Sequence, residues 1–249
     1  MIEAHALAKE FHDRKRGTVR AVDGVSFTCR PGRIFGLLGA NGAGKTTTLR
    51  MLATLLAPTG GRALVAGHDV ATEPEKVRAK IGFMSNSMAL YGRLTAREMI
   101  EYFGRLQGMT GPGLRARVDA LLDELGIGEF ARGRCDKLST GQKQRVSIAR
   151  AIVHQPEVVI FDEPTNGLDV MTSRTITGFI HRCRTEGRTV IFSSHIMSEV
   201  ERLCDEIAVV HGGRIVAHGT MDELRTQTGK TQLESVFLAL VGEPEEATA

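Results

Sequence analysis

Residues 39–46 read G-A-N-G-A-G-K-T, and this stretch decides how the rest of the chain is interpreted. It matches the phosphate-binding loop pattern G-x-x-x-x-G-K-[ST] in full. The apolar run I-F-G-L-L at residues 34–38 predicts a buried strand before the loop, and residues 46–56 predict a helix after it. Because the pattern has its meaning only between a strand and a helix, this context favours a phosphate-binding loop over a glycine-rich turn with an incidental lysine.

A triphosphate is a dense cluster of negative charge, and the loop supplies groups that bind it. Its glycines allow backbone conformations closed to other residues, so that successive N–H groups converge on the phosphates. The helix that begins here adds the positive end of its dipole. We expect Lys45 to reach the β- and γ-phosphates of ATP and the Thr46 hydroxyl to bind Mg²⁺. The predicted nucleotide contacts of the loop are Asn41, Gly42, Ala43, Gly44, Lys45, Thr46 and Thr47.

Composition places the chain among ordinary globular proteins, with 249 residues, 42% hydrophobic and 24% charged. The net charge of +3 is too small to indicate nucleic-acid binding by itself. No stretch approaches the roughly 18 apolar residues of a membrane span, and residues 1–5 lack the features of a secretory signal. The four cysteines are widely spaced and form no C-x-x-C pair, which favours structural thiols in a reducing compartment. We therefore expect a cytoplasmic location.

Hydrophobic periodicity divides the chain into a strand-rich core and a helical insert. Strands are predicted within residues 1–38 and 61–84, with a helix beginning near Pro74, and strands alternate with helices again from about residue 156. Residues 95–125 have helical spacing that G-P-G at residues 111–113 divides into two helices. The predicted organisation is a nucleotide-binding core at residues 1–86 and 153–230, a helical subdomain at 87–152, and a C-terminal helix and tail at 231–249.

A second motif, V-V-I-F-D-E at residues 158–163, predicts a buried strand that ends in two carboxylates. Ligands of parallel α/β sheets bind at this edge, and buried carboxylates are costly without a partner. Asp162 would hold Mg²⁺, directly or through water, and Glu163 would orient and deprotonate an attacking water. A helix cap or a surface acid pair is an equally good interpretation of the motif alone. The phosphate-binding loop upstream favours the catalytic interpretation.

A third motif, L-S-T-G-Q at residues 138–142, precedes a helix predicted at residues 143–154. Alone it indicates a polar turn with Ser139 as a helix cap. Together with D-E-P-T at 162–165, G-L-D at 167–169 and S-H at 194–195, it completes an ordered set of five motifs. In that order, the set resembles the ATP-binding subunits of ABC transporters over nearly the whole chain.

The resemblance implies a single ABC ATPase domain over residues 1–249. Its fold would be an α/β P-loop NTPase of ABC type, with a mixed-sheet core, an N-terminal antiparallel β-subdomain and a helical subdomain insert. The implied activity is hydrolysis of ATP with Mg²⁺, coupled to transport through a separate transmembrane permease. Two copies would pack head to tail at the inner face of the cell membrane, with no nucleic acid bound.

The resemblance also assigns roles to residues beyond the phosphate-binding loop. The third motif, residues 138–142, would be the family's signature loop and would contribute Gln142 to the site. Its Ser139 hydroxyl and Gly141 N–H would contact the γ-phosphate held by the other subunit. Asp169 would couple the two sites, and His195 would hydrogen-bond the γ-phosphate. One further assignment comes from the same family pattern. Phe11 is similar to the aromatic that stacks on adenine, although packing in the core is a nearly equal alternative.

The chain departs from the family pattern at three positions. Ala40 stands where proline is common, and Thr140 replaces the first glycine of the signature loop. Asn86 stands where the family has a glutamine that contacts Mg²⁺ or water, and its shorter amide would lose that contact or bridge it by water.

The stretches at residues 90–98, 167–171 and 194–199 resemble one subgroup, the ATPase subunits of Nat-type sodium-efflux exporters. Sodium efflux is therefore the expected activity, with export of a drug, an antibiotic or a lipid as alternatives. An ATPase subunit does not touch the transported species, so its fold and motifs do not identify that species.

Three other classes of protein share parts of this chemistry. DNA-maintenance ATPases insert long coiled coils between the first and third motifs, and this chain has no sustained heptads there. Translation-linked ATPases carry two such domains, and this chain carries one. A regulator that binds ATP without hydrolysing it would not need Glu163.

Overall fold

The computed structural model describes residues 1–13, 17–85 and 89–242, and two β-sheets organise them. The strands of these residues are β1 Ile2–Asp13, β2 Gly17–Cys29, β3 Ile34–Leu38, β4 Gly60–Val65, β5 His68–Asp69, β6 Ile81–Ser85, β7 Val158–Asp162, β8 Thr189–Ser194, β9 Glu206–His211 and β10 Arg214–Gly219. One sheet is antiparallel, in the order β2-β1-β4-β5. The other has the order β10-β9-β3-β8-β7-β6 and is parallel except between β9 and β10. The predicted mixed sheet and N-terminal antiparallel sheet are confirmed.

The helices within the described ranges are α1 Lys45–Leu52, α2 Pro74–Lys80, α3 Ala96–Leu106, α4 Gly111–Glu124, α5 Thr140–Ile152, α6 Val170–Thr185, α7 Met197–Leu203, α8 Met221–Thr228 and α9 Leu233–Val241. Short 3-10 turns lie at Gly128–Phe130 and Cys135–Lys137. Helix α3 packs against both α4 and α5, and these three helices occupy the region predicted as a helical insert.

The central strands are apolar on both faces because both faces of the main sheet are covered. Every residue of β3, β7 and β8 is buried, as expected for parallel strands between two layers. Ile160 packs into the core shared with the antiparallel sheet, and its neighbour Phe161 packs into the core beneath the helices. Burying each such side chain contributes on the order of 2 kcal/mol. The sheet is thus a rigid platform for the loops at its carboxyl edge.

Strand register brings the predicted motifs to that edge. Strands β6, β7 and β8 run in parallel register, with Ser85 opposite Asp162 and Asp162 opposite Ser193. Strand β8 lies between β7 and β3, and the phosphate-binding loop follows β3. The ends of neighbouring parallel strands therefore place three loops side by side.

Several helix boundaries differ from the predicted ones, and two of these differences have a visible structural cause. Helix α5 begins at Thr140, three residues before the predicted start, because Ser139 and Gln142 form a capping box at its first turn. Helix α1 ends at Leu52 and not at residue 56, since Thr54 takes a left-handed conformation and the N–H of Leu55 returns to the Arg50 carbonyl. Neither difference moves a predicted site residue to another loop.

Within the described residues, none of the helices has the length and apolar character needed to cross a bilayer.

Candidate active site

The phosphate-binding loop depends on glycine at two positions where the backbone passes close to other strands. Gly44 caps α1 with φ of 106°, and a Cβ there would lie 2.5 Å from the Ala21 carbonyl oxygen. A Cβ at Gly39 would collide with the carbonyl oxygen of Val210. Glycine at these two positions therefore permits the tight turn between β3 and α1.

Lys45 is the buried cation of this loop, with 4% of its surface exposed. Its Nζ donates to the carbonyl oxygens of Gly39 at 2.6 Å and Ala40 at 3.1 Å, and lies 3.7 Å from Glu163 Oε1. Burial lowers the pKa of Lys45, while the carboxylates of Glu163 and Asp162 oppose that shift. A buried ammonium at the start of a helix suits an anionic ligand such as a phosphate group.

A cavity of 130 Å³ opens at this point, lined by residues 41–47 together with Ala21 and Glu163. The structure therefore brings all seven predicted loop contacts to one concavity and adds the predicted base to its wall.

Asp162 ends β7 with a carboxylate that is 4% exposed and receives three hydroxyl donors. Thr46 Oγ1 donates to Oδ1 at 3.0 Å and Ser193 Oγ donates to the same oxygen at 2.8 Å. Ser85 Oγ donates to Oδ2 at 3.2 Å. Hydroxyls satisfy the carboxylate without neutralising it, so its negative charge remains available to a cation.

Magnesium fits the oxygen atoms at this point. It prefers hard oxygen ligands and usually takes one or two from the protein and the rest from phosphates and water. Thr46 and Asp162 offer two such oxygens side by side. Among the residues that the structure describes, no group of three or more His, Cys, Asp or Glu side chains could hold a metal alone. A nucleotide would therefore have to supply part of the coordination.

Glu163 follows Asp162 in a strained backbone conformation, with φ of 51°. Its N–H donates to both the carbonyl oxygen and the hydroxyl oxygen of Ser193, each at 3.1 Å. Asn166 Nδ2 donates to Glu163 Oε2 at 3.1 Å. A left-handed non-glycine residue costs on the order of 1–3 kcal/mol and persists only where its surroundings over-determine it. The strain turns the Glu163 side chain toward Lys45 and away from the strand direction.

His195 lies in the loop after β8, where its Nδ1 is 3.3 Å from Glu163 Oε1. This nitrogen has no aligned hydrogen-bond partner among the residues that the structure describes. A buried link holds the two loops together, because Thr165 Oγ1 donates to Glu199 Oε2 at 2.6 Å and Ser194 Oγ lies 3.5 Å from that oxygen. The predicted base and the predicted histidine are therefore neighbours.

The signature loop and Asp169 form a second group, joined through Thr172. Ser139 Oγ accepts the Gln142 N–H at 3.3 Å, and Gln142 Oε1 accepts the Ser139 N–H at 2.9 Å. A Cβ at Gly141 would lie 3.1 Å from the Thr172 side chain, so glycine permits this close approach.

Asp169 is the N-cap residue of α6, and its side chain contacts Thr172 in the first turn of that helix. The Thr172 N–H and hydroxyl donate to the two Asp169 carboxylate oxygens at 2.9 Å and 2.7 Å. The hydrogen bond from the Thr172 N–H is the largest cause that lowers the pKa of Asp169. Asp169, the residue predicted to couple the two sites, is thus in direct contact with Thr172, which lies beside Gly141 of the signature loop.

Gln144 connects α5 with the segment that follows Glu163. It lies on α5, and its buried Nε2 donates to the Pro164 carbonyl oxygen at 2.7 Å, one residue after Glu163. Sequence reasoning did not identify Gln144, Ser85, Ser193 or Glu199, because only strand register and helix packing show that these side chains meet the motifs.

Two predicted contacts need separate mention. Phe11 lies on β1 opposite Val19, is 39% exposed, and has the Lys9 ammonium 5.3 Å from its ring centroid. That exposure disfavours the core-packing alternative for this ring. Asn86 lies outside the described residues.

Comparisons with known proteins agree with this geometry. A family model described as ABC transporter matches residues 22–166. The chain is 39% identical to the ABC transporter ATP-binding protein NatA of Bacillus subtilis, covering 96% of this chain and 97% of that one. It is 40% identical to the daunorubicin/doxorubicin resistance ATP-binding protein DrrA of Streptomyces peucetius, covering 93% and 69% of the two chains.

A solved structure has the same fold. It is the dimeric, post-hydrolysis state of the ATP-binding cassette MJ0796 bound to ADP and Pi, which superposes with a TM-score of 0.82 at 26% identity. The likeness covers 88% of this chain and 98% of that chain.

Proposed function

This chain belongs to the ABC transporter family as an ATP-binding, ATP-hydrolysing subunit, and we propose that its hydrolysis powers export through a separate membrane-spanning subunit. The observation that carries the proposal is the meeting of Lys45, Glu163 and His195 at the phosphate-binding loop. In this proposal the protein works at the inner face of the cell membrane.

The loop binds the nucleotide phosphates. Residues 41–47 line one concavity, and Lys45 exchanges its carbonyl contacts for the β- and γ-phosphate oxygens of ATP. Phe11, exposed on β1, stacks on adenine. Asn86, in the position of the family's glutamine, contributes through its amide.

Thr46 and Asp162 hold Mg²⁺. When bound, the ion neutralises phosphate charge that develops during hydrolysis. The hydroxyl contacts of Asp162 support this role, since they fix the carboxylate without cancelling its charge.

Glu163 acts on the attacking water, and His195 contacts the γ-phosphate. The carboxylate orients the water and accepts its proton, while the histidine beside it donates a hydrogen bond to the phosphate oxygens. The 3.3 Å separation of Glu163 Oε1 and His195 Nδ1 supports action on adjacent atoms of one substrate.

Two copies of the chain complete the site, head to tail. The Ser139 hydroxyl, the Gly141 N–H and Gln142 of one copy cap the γ-phosphate held by Lys45 of the other. The capped N-terminus of α5 supports this role because it offers N–H groups and a positive dipole end to an anion. Asp169 links the two sites through Thr172.

The Glu163→Gln variant tests the proposed hydrolysis. Its amide keeps the shape of the side chain but cannot accept the proton, so turnover falls by on the order of 10²-fold or more. ATP affinity, measured by equilibrium titration, stays near that of the native protein, and a dimer accumulates with ATP. A native rate of hydrolysis in this variant rules out Glu163 as the base.

The transported species is proposed to be sodium. The subgroup stretches at residues 90–98, 167–171 and 194–199 support sodium efflux. Export of a drug or an antibiotic is the second candidate, supported by the 40% identity to a daunorubicin/doxorubicin resistance protein.

Ion flux in vesicles containing this chain and its membrane subunit separates the two candidates. ATP added on the ATPase side drives sodium movement in vesicles with the native chain, and not in vesicles with Glu163→Gln. Daunorubicin movement without sodium movement favours the second candidate and excludes the first.

A further inference from the structure

We propose that Ser193 is a positioning residue for ATP hydrolysis, one that orients Asp162 and Glu163 together. The inference rests on the roles proposed above for those two carboxylates. Ser193 lies on β8, is 0% exposed, and is not part of any motif in the sequence.

The register of the sheet places Ser193 directly opposite Asp162. Its hydroxyl donates to Asp162 Oδ1 at 2.8 Å, beside the bond from Thr46 to the same oxygen. A buried carboxylate without donors has a large desolvation cost. The Ser193 hydroxyl offsets part of that cost and helps to hold the orientation of the carboxylate.

The same hydroxyl holds the backbone of Glu163. A serine hydroxyl has one proton and two lone pairs, so donation to Asp162 leaves a lone pair for the Glu163 N–H. That N–H is bonded at 3.1 Å to both oxygens of Ser193. Because Glu163 is strained at φ of 51°, it needs contacts of this kind to stay in place. One side chain therefore fixes the metal-binding carboxylate and the direction of the base.

Ser85 provides a matched control on the other side of Asp162. It pairs with Asp162 from β6, and its hydroxyl donates to Oδ2 at 3.2 Å. Ser85→Ala removes a buried hydroxyl from the same carboxylate and leaves the bonds between Ser193 and Glu163 in place. Thr177→Val controls for the loss of a buried hydroxyl as such, because the Thr177 hydroxyl on α6 donates to the Arg174 carbonyl oxygen of the same helix at 3.2 Å.

The first measurement needs no nucleotide. Amide hydrogen exchange of the segment that contains Glu163, followed by mass spectrometry, reports how firmly Ser193 holds its backbone. Exchange of this amide rises about tenfold in Ser193→Ala and stays within about twofold of native in Ser85→Ala and Thr177→Val.

The second measurement is steady-state hydrolysis. We expect Ser193→Ala to lower kcat about tenfold, with KM for MgATP within about threefold of native, since the hydroxyl bonds to Asp162 and Glu163 and does not line the cavity at the phosphate-binding loop. Ser193→Thr restores the hydroxyl and recovers most of the rate. Ser193→Cys repeats the test at nearly native volume, and its weak S–H donor gives an intermediate kcat.

A double-mutant cycle identifies the role. In the Glu163→Gln background, Ser193→Ala lowers the residual rate by a smaller factor than in the native background, because the base that it orients is already absent and only its contact with Asp162 still matters. The inference is overturned if Ser193→Ala lowers the rate by the same factor in the native and the Glu163→Gln backgrounds. It is also overturned if Ser193→Ala has native amide exchange at Glu163 and a native kcat. The proposed function fails separately, if Glu163→Gln hydrolyses ATP at the native rate.

Discussion

At the residue scale, the site depends on one buried cation and two carboxylates that face it. Lys45 is held by backbone carbonyls and the Glu163 carboxylate in a loop too tight for any side chain at Gly44. Its charge is therefore stabilised in the interior by the Gly39 and Ala40 carbonyl oxygens and by Glu163 Oε1 at 3.7 Å. Such an ammonium is prepared for phosphate, because a phosphate oxygen offers more charge than the carbonyls that it would replace.

Lys45→Ala tests that role. Removing the ammonium weakens binding of ATP itself by about tenfold or more, since a charge-assisted contact to phosphate is lost. Equilibrium titration with a fluorescent ATP analogue measures the change. Lys80→Ala is the control, because Lys80 is partly exposed and pairs with Glu157. Unchanged ATP affinity in Lys45→Ala contradicts the assignment.

His154 predicts a pH dependence of stability. Its Nε2 lies 3.0 Å from the Ile81 carbonyl oxygen, its Nδ1 has no partner in the described part of the chain, and burial lowers its pKa. The unfolded chain therefore binds a proton at higher pH than the folded one. The stabilisation that comes from burying His154 in its neutral form is present above about pH 6.5. It is lost as the pH falls through the lowered pKa of the folded state.

Urea unfolding between about pH 7.5 and pH 5 measures the effect of His154. The free energy of unfolding of the native protein decreases as the pH is lowered, and His154 accounts for up to about 1.4 kcal/mol of that decrease per pH unit. His154→Gln flattens that slope, and the same substitution at the exposed His181 serves as the control. An unchanged slope in His154→Gln shows that another group is responsible.

At the element scale, the N-terminus of α5 combines a structural cap with a proposed ligand contact. Ser139 and Gln142 satisfy each other's N–H groups, so the first turn is stable without nucleotide. Gly141 lets this turn approach Thr172, and Gln144 ties the helix to Pro164. The helix thus connects the signature loop with the segment that follows Glu163 in the same copy.

Ser139→Ala separates these two roles. Loss of the cap lowers the free energy of unfolding by about 1 kcal/mol, and loss of the hydroxyl impairs ATP-dependent dimer closure. Thr220→Ala removes the same kind of capping box from α8, so it has a similar cost in stability and leaves the dimer intact.

Two measurements on Ser139→Ala are needed. Sedimentation of the variant with ATP, in the Glu163→Gln background, reports the dimer, and nucleotide titration of the monomer reports binding. Equal loss of monomer binding and of dimer closure argues that the signature loop is not supplied by the second copy.

At the scale of the whole molecule, we propose one ATPase domain in which residues 87–152 form a helical subdomain on the nucleotide-binding core. Two contacts with the core support one rigid arrangement. Arg182 of α6 donates to the Glu124 carbonyl oxygen at the end of α4 at 2.9 Å, and Gln144 donates to Pro164.

The proposed dimer predicts a role for exposed apolar side chains beside Asp169. Val170 and Met171 are 74% and 70% exposed on the first turn of α6. Covering such surface contributes to association in proportion to its area. Met171→Ser therefore weakens the ATP-dependent dimer of the Glu163→Gln protein about tenfold, as measured by analytical ultracentrifugation.

Leu106→Ser is the control for Met171→Ser, since Leu106 is a similarly exposed apolar residue at the end of α3. Monomer ATP affinity stays native in both variants. A dimer of native strength in Met171→Ser contradicts a contact at this turn.

Local motifs made much of this fold predictable. Strand β3, the glycine loop and α1 are encoded within one short stretch, because glycine positions and apolar runs act on neighbouring residues. The family resemblance, carried by five such motifs, is confirmed. The start of α5 was predicted three residues late because the capping box includes residues that look like a polar turn.

The sequence by itself determined the order of the motifs, the strand-loop-helix that contains Lys45 and the alternation of strands with helices from about residue 156. Only the tertiary structure decided that Ser85 and Ser193 bracket Asp162, that Glu163 is strained beside His195, and that Gln144 reaches Pro164. Glycine turns and apolar periodicity act over a few neighbouring residues. Strand register and helix packing join residues tens to more than a hundred positions apart, and no local pattern specifies those contacts.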